Sequence, residues 1–130
     1  MSQGNLTGRK VLVVEDNYLQ AKTIAEALAD HGAEVLGPFP APEECLPYCV
    51  RDQIDAAVLD VKVGEADSFP VADRLVREDI PFIFLTGYDR NIIPRRFKGV
   101  PHYLKPFVGQ DAPAAVALVM ALRRRTRVPD

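Results

Sequence analysis

The chain has 130 residues, a length on the scale of one domain, with 48% hydrophobic and 26% charged residues, which excludes a disordered chain. Sixteen Lys+Arg against eighteen Asp+Glu leave a net charge of −2, which excludes a uniformly basic nucleic-acid binder. No apolar run approaches the ~18 residues of a membrane span, the first residues lack the apolar stretch of a secretory signal, and Cys45 and Cys49 are too few for a disulfide framework, so the expected setting is a reducing cytoplasm.

Lys10 to Val14 is a short apolar run that stops at Glu15-Asp16-Asn17, and it reads as a buried strand of a parallel sheet. Ala21, Ile24, Ala25 and Leu28 then form a helical stripe that Gly32 ends. Glu34 to Gly37 is a second, weaker strand. Pro42 opens a helical stretch toward Arg51, and Pro47 inside it predicts a kink or an early stop. Asp55 to Asp60 is a third strand, apolar between two acids. Ser68 is placed to cap the next helix, whose stripe is Val71, Ala72, Leu75 and Val76. Ile80 to Leu85 is a fourth strand, with Pro81 near its start. Pro94 breaks the following stretch, so any helix there is short. Val100 to Leu104 is a fifth strand, and Ala115, Leu118, Val119 and Leu122 mark a last helix before a polar, arginine-rich tail.

Strands alternating with helices mean βα units, a parallel sheet and helices on both faces, a doubly wound three-layer α/β architecture. The chain reads as a single domain, 1–130, with its core at about 9–125 between polar ends. In such a sheet ligands gather beyond the carboxyl ends of the strands. Glu15 and Asp16 stand there after the first strand, Asp60 after the third, Thr86-Gly87 after the fourth and Lys105-Pro106 after the fifth. At about 4 Å and an effective dielectric near 20, each pair of those carboxylates repels by roughly 4 kcal/mol before screening. A divalent cation relieves this, and an oxygen-rich site with open positions suits Mg²⁺. Magnesium, an ammonium and a hydroxyl together are equipment for handling a phosphoryl group. Asp60, alone on the middle strand, is the candidate nucleophile. The plainer reading of Asp16 or Asn17 is a helix cap.

The stretches Val11-Leu12-Val13-Val14-Glu15-Asp16, Ala56-Ala57-Val58-Leu59-Asp60, Phe84-Leu85-Thr86-Gly87 and Tyr103-Leu104-Lys105-Pro106 together resemble the receiver domain of bacterial two-component response regulators, over about Lys10 to Arg125. The resemblance implies a five-stranded parallel sheet of flavodoxin-like order 2-1-3-4-5. It implies that Glu15 and Asp16 position Mg²⁺, that the backbone carbonyl of Lys62 is a further metal ligand, and that Asp60 is the phosphoacceptor. It implies that Thr86 moves toward the phosphoryl group, that Lys105 pairs with that group, that Gly87 leaves space for it, and that the Lys105-Pro106 bond is cis. The donor would be a histidine kinase or histidine phosphotransfer protein, and the output a change in affinity for an unknown partner protein. Such a domain assists its own phosphorylation and dephosphorylation and has no turnover substrate. The family's switch aromatic would stand at His102, with Tyr103 beside it.

Pro81 to Tyr88 is also similar to the PFxFATGY-type motif of a subgroup of single-domain receivers, with Leu85 where that motif has Ala. That subgroup implies stress signalling through a multistep phosphorelay. Cys45 and Cys49 read as packing residues rather than half a zinc site. The arginine-rich end reads as a solvated tail, and Tyr88, Arg95, Arg96 and Phe97 as part of a partner surface. The face from Val100 to the tail is one on which two copies could pair. Two other functions compete with a stand-alone receiver: a small Mg²⁺-dependent phosphohydrolase, and a degenerate, phosphate-independent binding module.

Overall fold

The computed structural model describes residues 6–63, 66–87 and 93–104. The predicted strands appear as β1 (Lys10–Val14), β2 (Glu34–Phe39), β3 (Ala56–Asp60), β6 (Phe82–Thr86) and β7 (His102–Leu104). They form one sheet of order β2-β1-β3-β6-β7 with every pairing parallel. Counting only these strands, the order is the expected 2-1-3-4-5. Between them run α1 (Tyr18–Asp30), α2 (Pro42–Cys45) and α3 (Phe69–Arg77). A small antiparallel hairpin, β4 (Lys62–Val63) with β5 (Ala66–Asp67), follows β3 directly, and nothing in the residue pattern had announced it.

Strand alternation sends successive side chains to opposite sheet faces. Val11, Val13, Ala56, Val58, Ile83 and Leu85 pack with Ile24, Ala27 and Leu28 of α1 on one face. Leu12, Val14, Ala57, Leu59, Phe82 and Phe84 pack with Val71, Ala72 and Leu75 of α3 on the other. That is the doubly wound arrangement. The last helix and the tail lie outside the described residues, as do Lys105 and Pro106.

Several local expectations are corrected. In α1 the buried positions are Ala21, Ile24, Ala27 and Leu28, so Ala27 takes the place expected of Ala25. In α3, Val76 is 57% exposed, because the three residues that meet the sheet are Val71, Ala72 and Leu75. The Ser68 side chain makes no capping bond. Its hydroxyl donates to the Val61 carbonyl at 3.5 Å, and Asp67 accepts from the Phe69 N–H at 3.0 Å in its stead. A buried serine hydroxyl needs a partner, and here the adjacent carbonyl supplies it. The stretch toward Arg51 is helical only to Cys45, then turns into a 3-10 segment, Leu46–Tyr48, since Pro47 has no N–H to continue the ladder. Phe97 is 1% exposed and stacks or edges against Phe69, Phe82 and Phe84. It is a core residue and not a partner surface.

Candidate functional site

The parallel register alone brings the acidic residues together. Val14 lies opposite Leu59, so Glu15 emerges from β1 beside Asp60 at the end of β3. The β2 edge fixes Glu15 further. Between Leu12 and Val14 the β1–β2 register shifts, at Gly37, whose φ is +100° and where a Cβ would lie 2.8 Å from the Val13 carbonyl oxygen. Only glycine fits that approach. The shift brings the Phe39 carbonyl to accept the Glu15 N–H at 3.0 Å. One Glu15 carboxylate oxygen accepts the Asn17 N–H at 3.0 Å. Asn17 in turn caps α1, its side chain accepting from Gln20 N–H at 2.9 Å. The capping role therefore falls to Asn17 and leaves Asp16 facing solvent.

The result is a cup in which Glu15, Asp16 and Asp60 each offer a carboxylate oxygen, all within 4.8 Å of one another. Glu15 and Asp60 are buried and Asp16 is exposed. The donor set fits a small hard cation: ligand oxygens at about 2.1 Å from Mg²⁺ lie roughly 3 to 4 Å apart around an octahedral shell, so small inward shifts suffice. Charge is thus concentrated where one side of the cup stays open to water and to a ligand.

Thr86 ends β6 and is 1% exposed. The pairing of Asp60 with Leu85 puts Thr86 one residue beyond, at the same sheet edge. A Cβ at Gly87 would meet no heavy atom within 4 Å among the described residues, so there is room beside Thr86. Across β6 and β7, Phe84 pairs with His102, Leu85 with Tyr103 and Thr86 with Leu104. Tyr103 packs against the core on the α1 face. His102 lies opposite Phe84 and so belongs to the α3 face, which Thr86 shares by alternation. Its Nδ1 lies 3.3 Å from the Val100 carbonyl oxygen. Lys105 follows Leu104 in sequence and lies outside the described residues.

The hairpin flanks Asp60. Ser68 N–H donates to the Val61 carbonyl at 3.0 Å, and Lys62 pairs with Asp67 one step out. Antiparallel ladders alternate bonded and non-bonded pairs, so this alternation directs the Lys62 carbonyl away from its own hairpin partner. Elsewhere, Cys45 and Cys49 are buried free thiols in the α3-face core, donating to the carbonyls of Pro42 and Cys45. The neighbouring Cys49 side chain, then burial, push the Cys45 thiol above its ordinary range, and the same Cys45 contact lowers Cys49; burial of both thiols in the core is what fits packing.

An acidic cup at the carboxyl edge of a 2-1-3-4-5 parallel sheet, with a buried threonine at the next strand end, is the arrangement of a signal receiver domain. No protein-family model matches the chain. It is similar to the signal receiver domain of a modulated diguanylate cyclase from Desulfovibrio desulfuricans G20, with 31% identity, coverage of 91% of this chain and 96% of that one, and a TM-score of 0.73. It is likewise similar to SdrG from Sphingomonas melonis Fr1, with 33% identity, coverage of 89% and 98%, and a TM-score of 0.72. Among curated proteins, the transcriptional regulatory protein PdtaR of Mycobacterium tuberculosis is 30% identical over 117 residues, covering 87% of this chain and 57% of that protein. The chain spans little more than half the length of the curated relatives it matches. It belongs to the response regulator receiver domain family of two-component signalling. Among the described residues no helix is long and apolar enough to cross a membrane.

Proposed function

We propose that Asp60 of this receiver domain accepts a phosphoryl group from a phosphohistidine on a histidine kinase or histidine phosphotransfer protein. The supporting observation is the convergence of three carboxylate oxygens within 4.8 Å at one sheet edge. Glu15, Asp16, Asp60 and the outward Lys62 carbonyl would hold Mg²⁺, which when bound supplies positive charge against the phosphoryl oxygens. The Asp60 carboxylate attacks phosphorus as the phosphorus–nitrogen bond breaks, and the leaving imidazole takes up a proton. Tyr18 and Leu19, 75% and 70% exposed on the first turn of α1, offer the donor an apolar ledge beside the cup.

The new charge on Asp60 draws the Thr86 hydroxyl inward, and Lys105 pairs with the phosphoryl group as its place in the family's motif implies. Thr86 and His102 share a sheet face, so His102 is the residue that moves with Thr86, and Tyr103 keeps its place in the opposite core. The bound state then presents a changed surface to a partner protein. SdrG in its BeF3-activated conformation is 32% identical to this chain, and trifluoroberyllate mimics a phosphoryl group in shape and charge. The Pro81-to-Tyr88 stretch points within this reading to the PFxFATGY-type subgroup.

Incubation with acetyl phosphate and Mg²⁺, followed by intact mass measurement, tests this. The wild type gains one phosphoryl mass and Asp60→Asn gains none. Continuous phosphate release from phosphomonoesters would instead identify a hydrolase, and a folded wild type taking up nothing from acetyl phosphate or a phosphorylated histidine donor would identify a phosphate-independent module.

A further inference from the structure

The proposed phosphate chemistry leaves the outer side of α3 and the turn at Arg95–Phe97 without a task, yet their geometry is built. Arg96 grips Asp73 of α3 with a two-pronged contact, Nε to Oδ1 at 2.9 Å and Nη2 to Oδ2 at 3.0 Å. Its guanidinium lies 4.6 Å over the ring of buried Phe97. The Phe97 anchor and this grip fix the turn against the helix. Around the grip stand Arg77, Arg95 and Lys98, all exposed, and Arg77 is close enough to help Arg96 hold the Asp73 carboxyl below its usual range. Arg74 is already paired with Glu78 at 3.7 Å. Four cations, Arg77, Arg95, Arg96 and Lys98, thus stand near two acids among the described residues, Asp73 and, within reach of Arg96, Asp67, on a chain whose net charge is −2. Beside them, Val76 is 57% exposed, one helical turn from Asp73 and on its side of α3.

We propose that this α3–turn surface binds an acidic, helix-forming segment of a partner protein, whose carboxylates meet Arg77, Arg95, Arg96 and Lys98 and whose apolar side chain covers Val76. Charge complementarity selects the partner's sign. The exposed valine selects protein over nucleic acid, since a phosphate backbone leaves an apolar side chain uncovered, and the chain's negative remainder repels a long polyanion. The inference does not rest on phosphate at Asp60, because the surface exists in the unmodified protein.

The probe is a synthetic amphipathic peptide of glutamate, leucine and alanine, titrated into the isotope-labelled full chain while amide chemical shifts are followed. Its lysine counterpart and a mixed-sequence DNA duplex are the comparators. Saturable shifts should centre on Val76, Arg77, Arg95, Arg96 and Lys98, and weaken with salt. Arg95→Glu with Lys98→Glu should lower affinity by about tenfold or more. Asp73→Asn, which releases the Arg96 fork, should raise it by about two- to fivefold. Circular dichroism checks the fold of each variant, and Lys98→Gln alone carries the test if the double variant does not fold. Shifts centred elsewhere, equal binding of the lysine peptide, indifference to the substitutions, or preference for DNA would each overturn the proposal.

Discussion

Neutralising Asp60 should make the metal-free protein more stable, not less. The three ligand oxygens of Glu15, Asp16 and Asp60 lie within 4.8 Å of one another, and Asp60→Asn removes two of the three repulsive pairs while keeping the side chain's shape. At that separation and an effective dielectric of about 20, each pair costs roughly 3 kcal/mol, and physiological salt screens about half of it. Replacing the contacts of a buried carboxylate by those of an amide offsets part of the gain. The net expectation is a stabilisation of about 1 to 3 kcal/mol, or a rise of roughly 3 to 10 °C in Tm for a chain of this size. Magnesium should reverse the order of merit. A ligand at about a hundred times its Kd stabilises the state that binds it by about 2.7 kcal/mol, and the wild type, with all its carboxylates, should receive far more of that than the variant. Thermal melts followed by circular dichroism, in EDTA and in saturating MgCl₂, measure both effects. If Asp60→Asn melts below the wild type in EDTA, or if Mg²⁺ lifts both equally, the reasoning from carboxylate repulsion is wrong.

Other consequences follow from single side chains. Phe97→Ala removes a ring packed among Phe69, Phe82 and Phe84 and should cost about 3 to 5 kcal/mol in urea unfolding, with Phe97→Leu losing clearly less. Asp67→Ala deletes the carboxylate that accepts the Phe69 N–H and should destabilise by about 0.5 to 2 kcal/mol; Ser68→Ala, losing only a long contact to Val61, should cost less, which comparison of the two urea midpoints will decide. The Arg96 guanidinium holds the Asp73 carboxyl below its ordinary value of 3.8. The stability it lends is therefore complete above that ordinary value and disappears as pH falls through the lowered one. Asp73→Asn should flatten the acid end of the stability profile and change nothing near neutrality beyond a constant offset.

The sheet was legible because each strand is an apolar run cut off by polar residues, and because the acids stand at those cuts. Val14 followed by Glu15-Asp16, and Leu59 followed by Asp60, place charge at strand ends whatever the details of packing. What the residue pattern missed depends on contacts distant in sequence or on rotamers. The β1–β2 register shift needs Gly37 to approach Val13, and no local signal reports that approach. Ser68 looked like a cap by type, but its hydroxyl is buried against Val61 and Asp67 does the capping from one residue earlier. Val76 fitted the helical stripe by spacing, yet a helix of the length of α3 meets the sheet with fewer residues than the stripe contains. Phe97 looked available to a partner because Pro94 and the neighbouring arginines read as loop; three other phenylalanines, from α3 and β6, draw it into the core. The hairpin after Asp60 depends on pairing Lys62 with Asp67 and Val63 with Ala66, which the charged composition alone did not signal.

The most direct measurement locates the modified residue. After exposure to acetyl phosphate and Mg²⁺, borohydride reduces an aspartyl phosphate to homoserine, and peptide mass spectrometry reads the position. Homoserine at residue 60, dependent on Mg²⁺ and diminished in Asp16→Asn, is the expected result. Homoserine at another acid, or at residue 60 with equal yield in EDTA, would contradict the assignment of the cup as a metal-assisted phosphoacceptor.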